Sequence, residues 1–222
     1  MRTGDRQGSD RFSPVSEEAW SAFRAAVFRA AEESLNAADC SSARGRPARA
    51  VHQQAESFLA RHRRPFSLVA CGPGCGHCCV VNVAVFEPEA HAIARHLRTT
   101  QSLEVIDDLR LRLAELVRAS RWLDDEERLM LRRPCAFLDA AGSCSIHPVR
   151  PLLCRKVTSI DPEDCREAVA RHAFGETVPV TADLFHQQVF EEAFIAFGRA
   201  LDHLGRNARS IRLSEGVFDL LN

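Results

Sequence analysis

Eight of the nine cysteines fall in two blocks, and that placement constrains the fold more than any other feature. The first block, Cys71-Gly-Pro-Gly-Cys75-Gly-His-Cys78-Cys79, puts four thiols into nine residues. The second spaces Cys135, Cys144, Cys154 and Cys165 along a segment punctuated by Gly142, Pro148, Pro151 and Pro162. Free cysteines used as small hydrophobes scatter; they do not bunch in this way. Metal ligands do bunch, because thiolates must converge to about 2.3 Å from an ion such as zinc. Short loops bring them there at little entropic cost. Gly72, Gly74 and Gly76 alternate with the ligand candidates. They permit positive φ and let backbone N–H groups turn toward sulfur. The adjacent Cys78 and Cys79 normally point apart, so eight ligands fit two ions or one multinuclear cluster better than one tetrahedral ion. All eight cysteines are therefore candidate ligands, for zinc or for an iron–sulfur cluster, since a thiolate set suits both.

A tetrathiolate zinc carries a net charge of about −2, and burying it requires donors and cations. Arg150 and Arg155, which flank Cys154, are the candidates to hold the centre from behind its ligands. His77 and His147 lie inside the blocks and are able to replace a thiolate, but with eight cysteines present a non-ligand role is expected. Cys40 stands alone and reads as a bystander.

The 222 residues are 45% hydrophobic and 27% charged, enough for one domain with appendages and a proper core. Twenty-nine basic residues balance thirty acidic ones. That argues against nucleic acid or an anionic membrane as partner. No apolar run approaches the roughly 18 residues of a membrane span, and the polar start lacks a secretory apolar region. The expected location is the cytoplasm, where thiols stay reduced.

Along the chain, residues 1–13 read as disordered. Residues 14–64 read as an N-terminal helical segment, with Trp20, Phe23, Val27, Ala31 and Leu35 on one face of its first helix. A second helix covers Val51 to His62, stopped by Arg64-Pro65. Residues 65–222 read as the cysteine-cluster metal-binding domain. The run Val80 to Phe86 is the best strand candidate. A helix opens at Glu87-Pro88, a long charged one covers 102–131 with a break near Trp122, and another starts at Asp161. The last spans Ala182 to Leu204 with a Phe-rich stripe, read as core, with a protein partner or homodimer as the other use. The expected class is mainly α, helices packed around a loop-rich cysteine cluster, with at most one or two short strands.

These residues resemble the YkgJ-type cysteine-cluster family, named CxxCxxCC and described as zinc- or iron-chelating. The resemblance rests on Gly-Cys75-Gly-His-Cys78-Cys79, Glu87-Pro88-Glu89-Ala90, Pro134-Cys135-Ala-Phe137-Leu138, Cys144-Ser-Ile-His147, Arg150-Pro151-Leu-Leu-Cys154-Arg155, and Ser159-Ile-Asp161 before Cys165. It covers about residues 65–215. His147 stands where the family usually has an aromatic residue, and Lys156-Val157 replaces a Gly-aromatic pair. The resemblance implies a metal-binding protein. The alternative it leaves open is an iron–sulfur enzyme of redox or methyl-transfer chemistry, similar to the flagellin lysine methylases. Cys71-x3-Cys75-x2-Cys78 also has the spacing of the radical S-adenosylmethionine cluster, but those enzymes need a barrel of alternating strands and helices. Only His77, His147 and Asp161 accompany the cysteines as polar candidates, and they form no recognisable catalytic set, so no catalytic residue is assigned.

Overall fold

The structure is a computed structural model that describes residues 15–37, 44–62 and 69–222. The expected disordered start, the Arg64-Pro65 stop and Cys40 lie outside the described residues. As expected, the fold is mainly helical, with two short strands among the described residues.

Helices α1 (Glu17–Asn36), α2 (Arg46–Arg61) and α8 (Leu184–His203) build the first core. The apolar stripe of α1 packs against the Phe-rich stripe of α8. Trp20, Phe23, Phe58 and Phe185 meet there, with the Phe23 and Phe58 rings stacked at 4.3 Å. Ser16 caps α1 by accepting from the Ala19 N–H. The α8 stripe is thus core, as its spacing implied.

The second core is built by α3 (Glu87–Thr100), α4 (Leu103–Ser120) and α9 (Leu213–Leu221), with Phe137 and Ile146 from the second cysteine block. The expected 102–131 helix breaks where its sequence suggested. After α4, Asp124 caps a separate α5 (Asp125–Leu131) and Glu127 reaches back to the Asp124 N–H, a reciprocal cap. The acidic run Asp124–Glu127 is therefore a helix start.

Several elements differ from expectation. Only Ala84 and Val85 of the 80–86 run form a strand, β1, because the partner β2 (Ile211–Arg212) is two residues long. The pair is antiparallel, Ala84 opposite Arg212 and Val85 opposite Ile211. Helix α9, beyond the last expected helix, follows it directly. Its Leu213, Val217 and Leu221 recur every four residues, one buried face of a short helix. Within the second cysteine block, a 3-10 turn (His147–Val149) and α6 (Leu152–Lys156) replace part of the expected loop, and α7 (Pro162–His172) carries Cys165.

Glu89 joins the two halves. It is 1% exposed, and its carboxylate accepts from the Phe86 N–H at 3.0 Å and the Leu152 N–H at 2.9 Å. His52 of α2 approaches it at 3.5 Å. One carboxylate thus fixes the start of α3 and the start of α6, two residues before Cys154.

Candidate metal centre

The two cysteine blocks meet loop to loop. Gly74 (φ +83°) and Gly142 (φ +74°) turn there in the left-handed region, where a side chain is strained. A Cβ on Gly142 would stand 3.2 Å from the Gly74 carbonyl oxygen, so the loops approach as closely as bare backbone allows. The Cys135 N–H donates to the Cys79 carbonyl at 2.7 Å, and the Leu138–Cys144 bridge closes the second loop on itself.

Between these loops lies a cavity of about 100 Å³. A single water needs only about 10–15 Å³ on that measure, so there is room for an ion or a small cluster. Cys71, Cys75, Cys78, Cys79, Cys135, Cys144 and Cys154 line it. Cys165 does not line it but lies close enough to the thiols of Cys71, Cys75 and Cys78 to be acted on by them. All eight are free thiols. Among the described residues, no carboxylate lines the cavity. Sequence separation has been overcome by folding: donors from positions 71 to 165 share one neighbourhood.

Six of the thiols are shifted toward their neutral form. Burial pushes Cys135 up from 9.0 to about 11, Cys154 well up, and Cys75, Cys144 and Cys165 upward. Cys78 rises chiefly because its sulfur is hydrogen-bonded with that of Cys79 and then because it is buried. The two adjacent side chains therefore do not point apart as expected. Among the described residues, no three Cys, His, Asp or Glu side chains already stand close enough together to hold an ion. Neutral, desolvated thiols have no reason to contract further. A cation that replaces their protons gives them one, which is the ordinary coupling of metal binding to thiol ionisation. The donor set fits a soft cation.

The surrounding cations sort into two kinds. Arg150 lines the cavity and its field acts on Cys78, Cys144 and Cys154; its Nε is buried with no hydrogen-bond partner. Arg155 turns elsewhere. Its guanidinium donates to the carbonyls of Arg150 (2.8 Å) and Pro148 (3.1 Å) and pairs with Glu56 of α2 at 2.5 Å. It reaches the site through the backbone of Arg150. Arg128 of α5 was not singled out by the sequence, since nothing in its spacing separates it from the surface arginines. It is 3% exposed, lines the cavity beside Cys135, and leaves Nη1 without a partner while Nη2 donates to the Arg133 carbonyl. Arg212, also on the cavity, donates to the Ser120 and Leu123 carbonyls at the end of α4, where a cation suits the helix dipole. His147 lines the cavity and His77 sits in the first loop; burial and the neighbouring Arg150 and Arg155 lower the His147 pKa.

Ser159 is the other organiser. It is 1% exposed, its N–H donates to the Cys71 sulfur at 3.4 Å, and its carbonyl accepts from the Ala70 N–H at 2.9 Å. Its hydroxyl is held by the carbonyls of Asp161 and Thr181 and also meets Cys165. Among the described residues, no helix is long and apolar enough to cross a membrane.

No curated protein and no solved structure matches the chain significantly. Residues 70–176, which hold all eight clustered cysteines, match the model of the CxxCxxCC family, described as a "putative zinc- or iron-chelating domain".

Proposed function

We propose that the protein chelates zinc or iron through the thiolates of Cys71, Cys75, Cys78, Cys79, Cys135, Cys144, Cys154 and Cys165, with Arg150 beside the ligands and Arg155 bracing it. The observation that carries this reading is the convergence of both cysteine blocks on one cavity that, among the described residues, no carboxylate lines. Soft thiolate donors select zinc or iron–sulfur centres over magnesium or calcium, which prefer oxygen. The reading also places the protein in a reducing compartment, the cytoplasm, where clustered thiols remain available. The test is anaerobic purification followed by metal analysis and a visible spectrum. Zinc in a colourless protein supports a zinc centre. Iron with sulfide and a brown colour supports a cluster and opens the redox alternative. A chain that takes up neither metal under reducing conditions overturns the proposal.

A further inference from the structure

The eight cysteines are not equivalent, and the difference follows the fold. Cys135, Cys144 and Cys154 all pack against the second hydrophobic core. Cys79 is tied to them by the backbone hydrogen bond that its carbonyl accepts from Cys135. The unpartnered Nη1 of the Arg128 guanidinium stands on this side, beside Cys135. Cys71 and Cys165 are instead gathered by Ser159, one through its N–H and the other through its hydroxyl. Cys75 and Cys78 complete that side, on a glycine loop whose Gly72, Pro73 and Gly74 are exposed to solvent.

We infer that the protein holds two distinct four-thiolate metal centres, an outer one of Cys71, Cys75, Cys78 and Cys165 and an inner one of Cys79, Cys135, Cys144 and Cys154, joined at the Cys78–Cys79 pair. This inference rests on the metal-binding reading. The electrostatic neighbourhoods agree with the division. Cys165 is acted on by Cys71, Cys75 and Cys78, whereas Cys154 is acted on by Cys135 and Cys144. The hydrogen-bonded Cys78 and Cys79 sulfurs stand where the two centres meet, and each joins its own centre once a metal replaces its proton.

The inner centre needs its charge answered inside the protein, and a buried guanidinium with a free N–H is suited to a thiolate acceptor. Arg128 Nη1 supplies it once Cys135 is ionised by the metal, and Arg150 faces Cys144 and Cys154 from its own side. The outer centre has solvent and the Ser159 N–H, and it shares the field of Arg150 only at Cys78, where the two centres meet. The two ions therefore differ in exchange: the outer one leaves first to a chelator, and loss of Arg128 weakens only the inner one.

The experiment is an anaerobic cobalt(II) titration of the full chain, read by thiolate-to-cobalt absorption and native mass spectrometry. Wild type should take two ions. Cys75→Ala and Cys144→Ala should each keep one, and Arg128→Gln should weaken one of the two ions about tenfold to a hundredfold while leaving the other unchanged. Arg128→Lys should recover part of that loss, which a purely packing role would not grant. A single equivalent in wild type, or loss of all cobalt from either cysteine variant with wild type binding two, overturns the division but leaves metal binding standing. A wild type that takes no cobalt removes the metal reading itself. The wild-type stoichiometry decides even where a cysteine variant does not fold.

Discussion

At the scale of single residues, what decides a role is where a side chain spends its donors. Arg150 and Arg155 flank the same cysteine and are indistinguishable by spacing, yet one faces the cavity and the other closes a brace of carbonyls and Glu56. Truncating Arg155 removes the hydrogen bonds that its charged guanidinium donates to the part-buried Arg150 carbonyl and the exposed Pro148 carbonyl, a net loss of about 1–3 kcal/mol. Arg155→Ala should therefore lower the melting temperature by several degrees, since 1 kcal/mol is roughly 2–4 °C in a chain of this size. Arg150→Ala should weaken metal binding more than Arg155→Ala does, measured by competition with a coloured chelator at fixed pH. The reverse order would put the charge at Arg155 after all. Cys40→Ser should leave metal content unchanged while Cys75→Ser or Cys154→Ser reduces it; equal losses would mean that the ninth cysteine is a ligand. The cysteines themselves were legible because bunched thiols have few other uses. Arg128 was not, because burial of an arginine depends on the break between α4 and α5 and on which loop that break faces.

At the scale of elements, periodicity disclosed the helices with long apolar stripes, α1 and α8 above all, because a stripe repeated over five turns leaves little ambiguity. Short elements escaped it. α9 has nine residues, α6 has five, and each β strand has two, so their existence depends on partners far away in sequence. The apposed glycines are another tertiary fact: the sequence suggested turns at Gly74 and Gly142 but not that one would sit on the other. Gly142 and Gly175 share φ +74°, but only Gly142 faces another backbone; nothing stands within 4 Å of a Cβ at Gly175. Gly142→Ala and Gly175→Ala should both lose about 1–2 kcal/mol from the left-handed conformation alone. Only Gly142→Ala should also weaken metal binding, because it pushes the two cysteine loops apart. Equal metal affinities for the two variants would show that the loop contact does not hold the ligands in place.

At the scale of the molecule, the cysteines belong to one half of the fold. The first core, of α1, α2 and α8, contains none of them, whereas Cys135, Cys144 and Cys154 pack on the second. Metal removal should therefore loosen residues 70–165 first. Proton linkage makes that testable, because the metal-free and metal-bound proteins should respond to pH with opposite signs. In the metal-free protein, burial holds the Cys135 thiol near 11 against an ordinary 9.0, and Cys75, Cys144, Cys154 and Cys165 are also raised. A raised thiol favours the folded state only while it is protonated. The stability is complete below about pH 9, and it falls between about 9 and 11 as the unfolded chain ionises first. In the metal-bound protein the thiolates are already formed and the folded state carries fewer protons, so raising the pH from 6 toward 9 should increase the melting temperature. Thermal unfolding from pH 6 to 10.5, with and without saturating zinc, should give a zinc-bound curve that climbs where the metal-free curve is flat, and a metal-free curve that then falls. Parallel curves across that range would mean that the ion is not held by these thiolates.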